Sequence, residues 1–114
     1  MPSNRIYLGI DSHSNLALSL ESIGDGVFFL TVSEGTRGND LCKFLCSRED
    51  LDGVIHNHPV SISGKAGRCE IHAAGDEVVI HFKRSEDTVD STCTLTTNSF
   101  TRLVTLASNR AYLR

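Results

Sequence analysis

Several features that mark specialised classes of protein are missing from this sequence. Tryptophan is absent, and the 114 residues contain only two prolines, two tyrosines and five phenylalanines. No apolar run approaches the roughly 20 residues that a transmembrane helix needs, and the N-terminal stretch MPSNRIYLGIDSHSN lacks the apolar core of a secretory signal. Phosphate-binding loops, nucleophile elbows and dinucleotide fingerprints are also missing. We therefore expect a cytoplasmic, non-catalytic protein without a membrane segment, a bound metal or a cofactor.

Charge and cysteine content narrow the class further. Eleven lysines and arginines stand against fourteen aspartates and glutamates, which gives a formal charge of -3 with the two signs interspersed. A protein that binds duplex DNA usually carries a basic surface, so this balance argues against that ligand. In a reducing compartment the four cysteines are expected to be buried thiols, namely Cys42, Cys46, Cys69 and Cys93. The length suits one domain spanning residues 1–114.

The most informative feature that is present is an internal repeat. The segment Gly24-Asp25-Gly26-Val27 recurs as Gly75-Asp76-Glu77-Val78, and the apolar positions around the two segments also match. We expect two units, at about residues 5–58 and 60–108, each made of four strands followed by a helix. The predicted fold is α+β, with two tandem ββββα units whose antiparallel sheets are each packed with one helix. A chance similarity between two hairpins of a β-rich protein is the alternative.

The second hairpin has a register that separates apolar from polar side chains. A two-residue turn at Gly75-Asp76 places Ile71 opposite Ile80 on one face and Arg68 opposite Lys83 on the other. One face is then apolar and the other polar, as expected of a sheet with one side in water.

The first hairpin, built in the same way, has an apolar outer face. A turn at Gly24-Asp25 places Leu20 opposite Phe29 on the inner face. Three large apolar side chains are then left on the outer face, namely Phe28, Leu30 and Val32. Leaving each in water would forgo about 1.5 to 3 kcal/mol, so we expect a second copy of the chain to cover them. These three residues are the predicted interface of a homo-oligomer.

The remaining elements follow from apolar spacing and capping residues. Further strands are predicted at residues 5–10, 41–46, 60–63 and 92–97. In the second unit, Asn98 or Ser99 should cap a helix with one apolar stripe, formed by Phe100, Leu103, Val104 and Ala107. In the first unit, Ser47 should cap a shorter helix that ends before Pro59 and buries Leu51, Val54 and Ile55.

Two tandem ββββα units resemble the arrangement of the Whirly and Pur-repeat family of single-stranded nucleic-acid-binding proteins. The resemblance is one of architecture and covers nearly the whole chain, without a shared sequence motif. It implies that an exposed sheet face binds single-stranded DNA or RNA, often after oligomerisation. The side chains on the matching face are Lys43, Arg68, His72, His81 and Lys83. This chain departs from the pattern in having few aromatic side chains on which bases could stack.

A second resemblance concerns His56-x-His58-Pro59, which is similar to the metal motif of JAMM/MPN-type zinc isopeptidases. In that family two histidines and a later aspartate hold the metal, and an upstream glutamate is the base. The aspartate position falls here on Glu70, the serine position falls on Gly67, and Glu34 is the nearest candidate base. Only the histidines and the proline fit the motif.

Local geometry favours a structural role for these histidines. Residues i and i+2 of a helix lie about 200° apart and cannot share a metal ion. The helical spacing before His56 therefore favours a helix C-terminus, where histidines complement the helix dipole and Pro59 stops the chain. A zinc site joining the histidines to Cys42 and Cys46 is disfavoured as well, because i and i+4 residues of a strand lie about 13 Å apart.

Two binding functions and one enzymatic function remain as hypotheses. Single-stranded nucleic-acid binding through a sheet face is preferred because of the architecture. A protein-interaction module of the inhibitor or immunity type, acting as a homo-oligomer, is the alternative that the mild acidity favours. A JAMM-like zinc hydrolase is the third.

Overall fold

The computed structural model of the protein describes residues 5–110, apart from the side chain of Arg110. Eight strands and two helices follow one another in the order β1 (Ile6–Asp11), β2 (Leu16–Gly24), β3 (Val27–Glu34), β4 (Asp40–Ser47), α1 (Arg48–Val54), β5 (Val60–Gly64), β6 (Gly67–Ala74), β7 (Glu77–Arg84), β8 (Ser91–Thr96) and α2 (Thr97–Arg110). The strands form two four-stranded antiparallel sheets, β1-β2-β3-β4 and β5-β6-β7-β8. The predicted α+β fold of two ββββα units is confirmed.

The inner faces of both sheets and one stripe of each helix form a shared hydrophobic cluster. Each helix contacts both sheets: α1 contacts β4, β5 and β6, and α2 contacts β1 and β2 as well as β7 and β8. The predicted stripe of α2 is confirmed, with Phe100, Val104 and Ala107 buried and Leu103 partly buried. In α1, Leu51 and Val54 are buried. The two units therefore share their apolar interior.

The register predicted for the second hairpin is confirmed. Ile71 pairs with Ile80 inside the core, and Arg68 pairs with Lys83 on the opposite face. The turn lies at Gly75-Asp76, and Gly75 has a φ of +64°, a conformation that glycine adopts without steric cost.

The register predicted for the first hairpin is wrong by one residue. Leu20 pairs with Leu30 and not with Phe29, because a β-bulge interrupts the pairing between Ser22 and Gly24. The turn residues are Asp25 and Gly26, and here it is Gly26 that has a positive φ, +68°. Because side chains alternate along a strand, a shift of one residue exchanges the two faces of β3.

This shift overturns the predicted homo-oligomer interface. The three residues assigned to it are buried within the chain's own core, with exposed fractions of 1% for Phe28, 0% for Leu30 and 0% for Val32. They pair with core residues of β4, among them Phe44 and Cys46. The apolar surface that appeared to need a second copy of the chain is covered by the chain itself.

The predicted capping residue is confirmed for the helix of the first unit and is wrong for the helix of the second. Ser47 caps α1, and its hydroxyl accepts a hydrogen bond from the Asp50 backbone N–H, as predicted. In α2 the corresponding contact is made by Thr96, whose Oγ1 accepts from the Ser99 backbone N–H at 3.1 Å. Prediction of Asn98 or Ser99 as the cap was wrong, because α2 begins directly where β8 ends.

The cysteines are structural side chains. Cys46, Cys69 and Cys93 are buried, as predicted, while Cys42 is only partly buried. Burial raises the pKa of Cys46 and Cys69 to about 12 and that of Cys93 to about 11, so these thiols remain protonated at neutral pH.

One buried carboxylate joins the two sheets where β1 approaches β8. Asp11 accepts hydrogen bonds from the backbone N–H groups of His13 and Ser14 and, across the sheets, from that of Thr92 at 2.7 Å. Burial alone would raise the pKa of Asp11, but these three donors bring it below its usual value.

Among residues 5–110, neither helix is long and apolar enough to cross a membrane.

Candidate functional site

Four of the five predicted ligand-binding residues lie on the outer face of the second sheet. Alternation along β6 and β7 directs Cys69, Ile71, Ile80 and Phe82 into the core. The intervening positions face outward and carry Arg68, Glu70, His72, Val79, His81 and Lys83. We call these six residues the second outer face.

The rings of His72 and His81 are stacked at the centre of the second outer face. Their centroids lie 5.6 Å apart and the ring planes make an angle of 20°. His81 is opposite Glu70 in the register, so the two histidines are diagonal neighbours, close enough for rings to touch. Nδ1 of His81 lies 3.1 Å from Oγ1 of Thr92 on β8, which orients the ring.

Positive charge lies beside the histidine pair. Arg68 and Lys83 face each other one step along the strands from Glu70 and His81. Arg68 lies 3.2 Å from the carboxylate of Asp90, and both side chains are about half exposed. Lys83 forms no ion pair with any residue that the structure describes.

Lys43, the fifth predicted residue, is not part of this cluster. It lies on β4 of the first sheet, and its Nζ is 5.1 Å from the centroid of the Phe29 ring. The prediction treated equivalent faces of the two units as one surface, whereas the structure places Lys43 and the other four residues on different sheets.

The outer face of the first sheet is covered by side chains of the same chain at its centre, while Lys43 and Leu45 on β4 remain exposed. Its central positions carry small residues that are fully buried, namely Ala17, Ser19, Thr31 and Ser33. Two residues reach across this face from the β1 edge. The Tyr7 hydroxyl donates to the carbonyl oxygen of Thr36 at 2.9 Å, and the Arg5 guanidinium binds both carboxylate oxygens of Asp40 at 2.7 and 2.9 Å.

These contacts show that the first sheet curves around its outer face. Arg5 precedes β1 and Asp40 begins β4, so the two residues come from opposite edges of the sheet. Hydrogen bonds from Arg5 hold the pKa of Asp40 below its usual value, against the effect of burial. Sequence reasoning missed Arg5 and Tyr7, whose reach across three neighbouring strands depends on curvature that no sequence motif records.

Within residues 5–110 the second unit has no counterpart to this cover. Tyr7 pairs with Ser19 in the first sheet, and the corresponding pair in the second is Ser61 with Glu70. A serine therefore stands where the first unit has its aromatic ring. The outer surface of the second sheet is open to solvent, with Glu70 exposed and both histidines partly exposed.

The two histidines of the His56-x-His58 segment lie at the end of α1, as the helical interpretation predicts. Both are exposed, and Nδ1 of His56 lies 3.1 Å from the Asp52 carbonyl oxygen. The backbone N–H groups of His56 and His58 both donate to the carbonyl of Gly53, and Asn57 adopts a φ of +64°. This arrangement satisfies the last carbonyls of the helix.

No three His, Cys, Asp or Glu side chains come together as a potential metal site within residues 5–110. Glu70 belongs to the second outer face, so it does not join His56 and His58 in the way the isopeptidase motif would require.

No protein family, curated protein or solved structure matches this chain.

The second outer face combines a stacked imidazole pair, two cations and one carboxylate, with the Thr92 hydroxyl of β8 beside it. Imidazole rings can stack on nucleobases, and Arg and Lys bind phosphate oxygens. The surface is therefore chemically suited to a planar, anionic ligand in an extended conformation.

Proposed function

We propose that the protein is a non-catalytic binding protein that holds single-stranded nucleic acid on the second outer face. The observation that carries this proposal is the stacked pair of His72 and His81 on an open sheet, with Arg68 and Lys83 beside it. Stacking on aromatic side chains contributes about 1 to 3 kcal/mol per base and tolerates any base. Such a surface would bind single strands with little sequence preference.

Comparison of the two units supports this proposal. In the first sheet, Tyr7 and Arg5 supply an aromatic ring and a cation that cover the outer face. The equivalent surface of the second sheet has Ser61 in place of Tyr7 and carries larger polar side chains. A nucleotide would supply the missing planar group from outside.

The charge on the second outer face sets an upper limit on the electrostatic part of binding. Arg68 and Lys83 provide two positive charges, while Glu70 provides a negative one near the histidines. Each neutralised phosphate of a single strand contributes about -0.7 to the slope of log K against log salt concentration. We expect a shallow slope, between about -0.7 and -1.4.

The test is fluorescence anisotropy with a labelled 12-nucleotide oligothymidylate and its RNA equivalent across a salt series. Wild-type protein should bind both, and replacement of both histidines by threonine should weaken binding about tenfold or more, in line with the loss of one stacked base. Lys43→Gln, which changes charge on the other sheet, is the matched control and should bind as wild type does. Absence of binding at low salt would refute the proposal, as would equal affinity of the histidine variant and wild type.

A second proposal, a protein-interaction surface, is favoured by one observation on the first sheet. Phe29 pairs with Leu45 on its outer face, and Leu45 is 57% exposed. The pair is apolar, so a two-fold axis through the patch would bring Leu45 of one copy against Phe29 of another. A second copy of this chain is therefore the proposed occupant, and light scattering of wild type and Leu45→Glu after size exclusion tests it. A wild-type monomer would refute it.

A further inference from the structure

A cavity of about 240 Å³ opens at one end of the second outer face, beside the β5–β6 hairpin. The residues that line it are Ser63, Gly64, Gly67, Arg68, Lys83, Arg84 and Ser85. Three of these side chains are cationic and none is acidic. The lining thus holds the cationic ends of ion pairs whose carboxylates, Glu86, Asp87 and Asp90, lie outside it.

The three cations differ in how fully they are neutralised. Arg84 is held by two carboxylates, with contacts of 2.7 Å to Asp87 and 2.8 Å to Glu86. Arg68 has one longer contact, 3.2 Å to Asp90, in an exposed position where ion pairs contribute little. Lys83 has no ion-pair partner within residues 5–110. Lys83 and Arg68 are therefore available to bind an anion, whereas Arg84 is committed to the fold.

Backbone packing maintains the shape of the cavity. Gly67 has a φ of +149°, and a Cβ atom there would lie 2.1 Å from the carbonyl oxygen of Lys83. Glycine at this position thus allows β6 to approach β7 closely enough for Arg68 and Lys83 to share one wall. The Ser85 hydroxyl donates to the Lys65 carbonyl oxygen, which fixes the opposite side.

The site occurs in one unit only. Strand pairing makes Ala17 and Ser33 of the first sheet the counterparts of Arg68 and Lys83. Both counterparts are fully buried and uncharged. The unit that has Ser61 in place of Tyr7 therefore also carries the cationic cavity.

We infer that this cavity is the phosphodiester subsite of the second outer face, with Lys83 and Arg68 binding the non-bridging oxygens of one phosphate. The inference rests on the proposed function, because the ligand's bases are placed on the neighbouring histidine pair. Residues two apart on a strand are separated by about 6.6 Å, so the row that contains Arg68 and Lys83 lies one such step from the row that contains His81. A nucleotide can extend from phosphate to base over a distance of this order.

The experiment compares two probes of equal length, a hexamer of thymidylate and a hexamer of abasic deoxyribose phosphate. Each probe is titrated into four ¹⁵N-labelled proteins: wild type, Lys83→Gln, Lys83→Arg and the matched control Lys43→Gln. The salt dependence of the affinity is measured for every combination of probe and protein. We expect Lys83→Gln to weaken both probes by about tenfold and to reduce the salt slope by about 0.7, as loss of one phosphate contact requires. Lys83→Arg should restore both values, and Lys43→Gln should change neither.

The outcomes separate the subsite from the proposed function. If the thymidylate hexamer binds and Lys83→Gln matches Lys43→Gln, the subsite is wrong and the function stands. If the abasic hexamer binds as tightly as thymidylate and depends on Lys83, the subsite stands and base stacking is wrong. If neither probe shifts the amide resonances of residues 63–68 and 83–85, both proposals fail. Unchanged spectra of the unliganded variants show that folding is intact.

Discussion

The outer faces of the two sheets are built on the same strand order and differ in how far they are covered. In the first sheet small side chains are fully buried beneath Tyr7 and the Arg5–Asp40 ion pair. In the second sheet the equivalent surface is wide, polar and open, with Ser61 in place of Tyr7. A repeated architecture therefore does not repeat its surface, because a few large residues at one edge decide whether the centre of a face is covered from within the chain.

The side chains of β3 that face outward are set by its register with β2. Leu30→Glu tests this register and should cause the largest loss of stability. Leu30 is 0% exposed, so the variant places a carboxylate in the core without a partner. We expect the free energy of unfolding to fall by more than about 4 kcal/mol, enough to unfold a domain of ordinary stability. Circular dichroism during urea titration measures it. Leu45→Glu on the outer face is the control and should stay folded; a folded Leu30→Glu protein would restore the alternative register.

Exchange of equivalent residues between the two faces should have unequal effects. Thr31 is fully buried on the outer face of the first sheet, and its counterpart in the second sheet is His81. Thr31→His should destabilise the protein by about 1 to 3 kcal/mol, because the site has no room for the larger ring. His81→Thr should change stability by less than about 0.5 kcal/mol. Thermal unfolding of both variants checks the comparison, and similar losses in the two would show that the second face is as closed as the first.

Removal of one hydroxyl should weaken the cover of the first sheet without opening it. Tyr7→Phe loses the hydrogen bond to the Thr36 carbonyl oxygen and retains the ring. We expect a loss of about 1 kcal/mol in the free energy of unfolding. Hydrogen exchange of the β2 and β3 amides should increase modestly. Exchange rates equal to wild type would mean that Tyr7 does not hold the cover in place.

Loss of the Arg5–Asp40 ion pair should have a small effect on stability and a distinct pH dependence. Because the pKa of Asp40 is lower in the folded state, the ionised form stabilises the protein above the unfolded pKa of about 3.8, and this contribution is lost as the pH falls further. Asp40→Asn should cost about 0.5 to 1 kcal/mol at pH 7, as a partly exposed pair. The difference from wild type should shrink towards zero between pH 4 and pH 2, measured by urea unfolding at each pH. A constant difference across that range would contradict this account.

The parts of the fold that could be predicted are those set by local sequence. The register of the second hairpin could be predicted because β6 and β7 pair without a bulge on either side of the two turn residues, Gly75 and Asp76. The first was misplaced because the bulge at Ser22 to Gly24 adds one residue without any sequence signal of its own. Helix α1 was predicted from Ser47 and the apolar spacing after it, and both features are local.

The candidate site was predictable to a similar degree. Alternation along β6 and β7 was sufficient to bring His72, His81, Arg68 and Lys83 to one face. The stacking of the two rings and the cavity beside Gly67 depend on how neighbouring strands pack, so the sequence alone does not specify them. The position of Lys43 depends on how the two sheets are arranged, which no local pattern records.

The contacts of each helix with the sheet of the other unit make the two halves of the chain depend on each other for stability. Since α1 contacts β5 and β6 and α2 contacts β1 and β2, each half of the chain supplies its helix to the sheet of the other half as well as to its own. A cut between residues 58 and 60 would release two fragments that each lack a partner surface, and they should fold only when mixed. The short connection after α1 then acts as a tether that keeps each half at a high effective concentration for the other. In this sense the protein is an intramolecular complex of two similar halves.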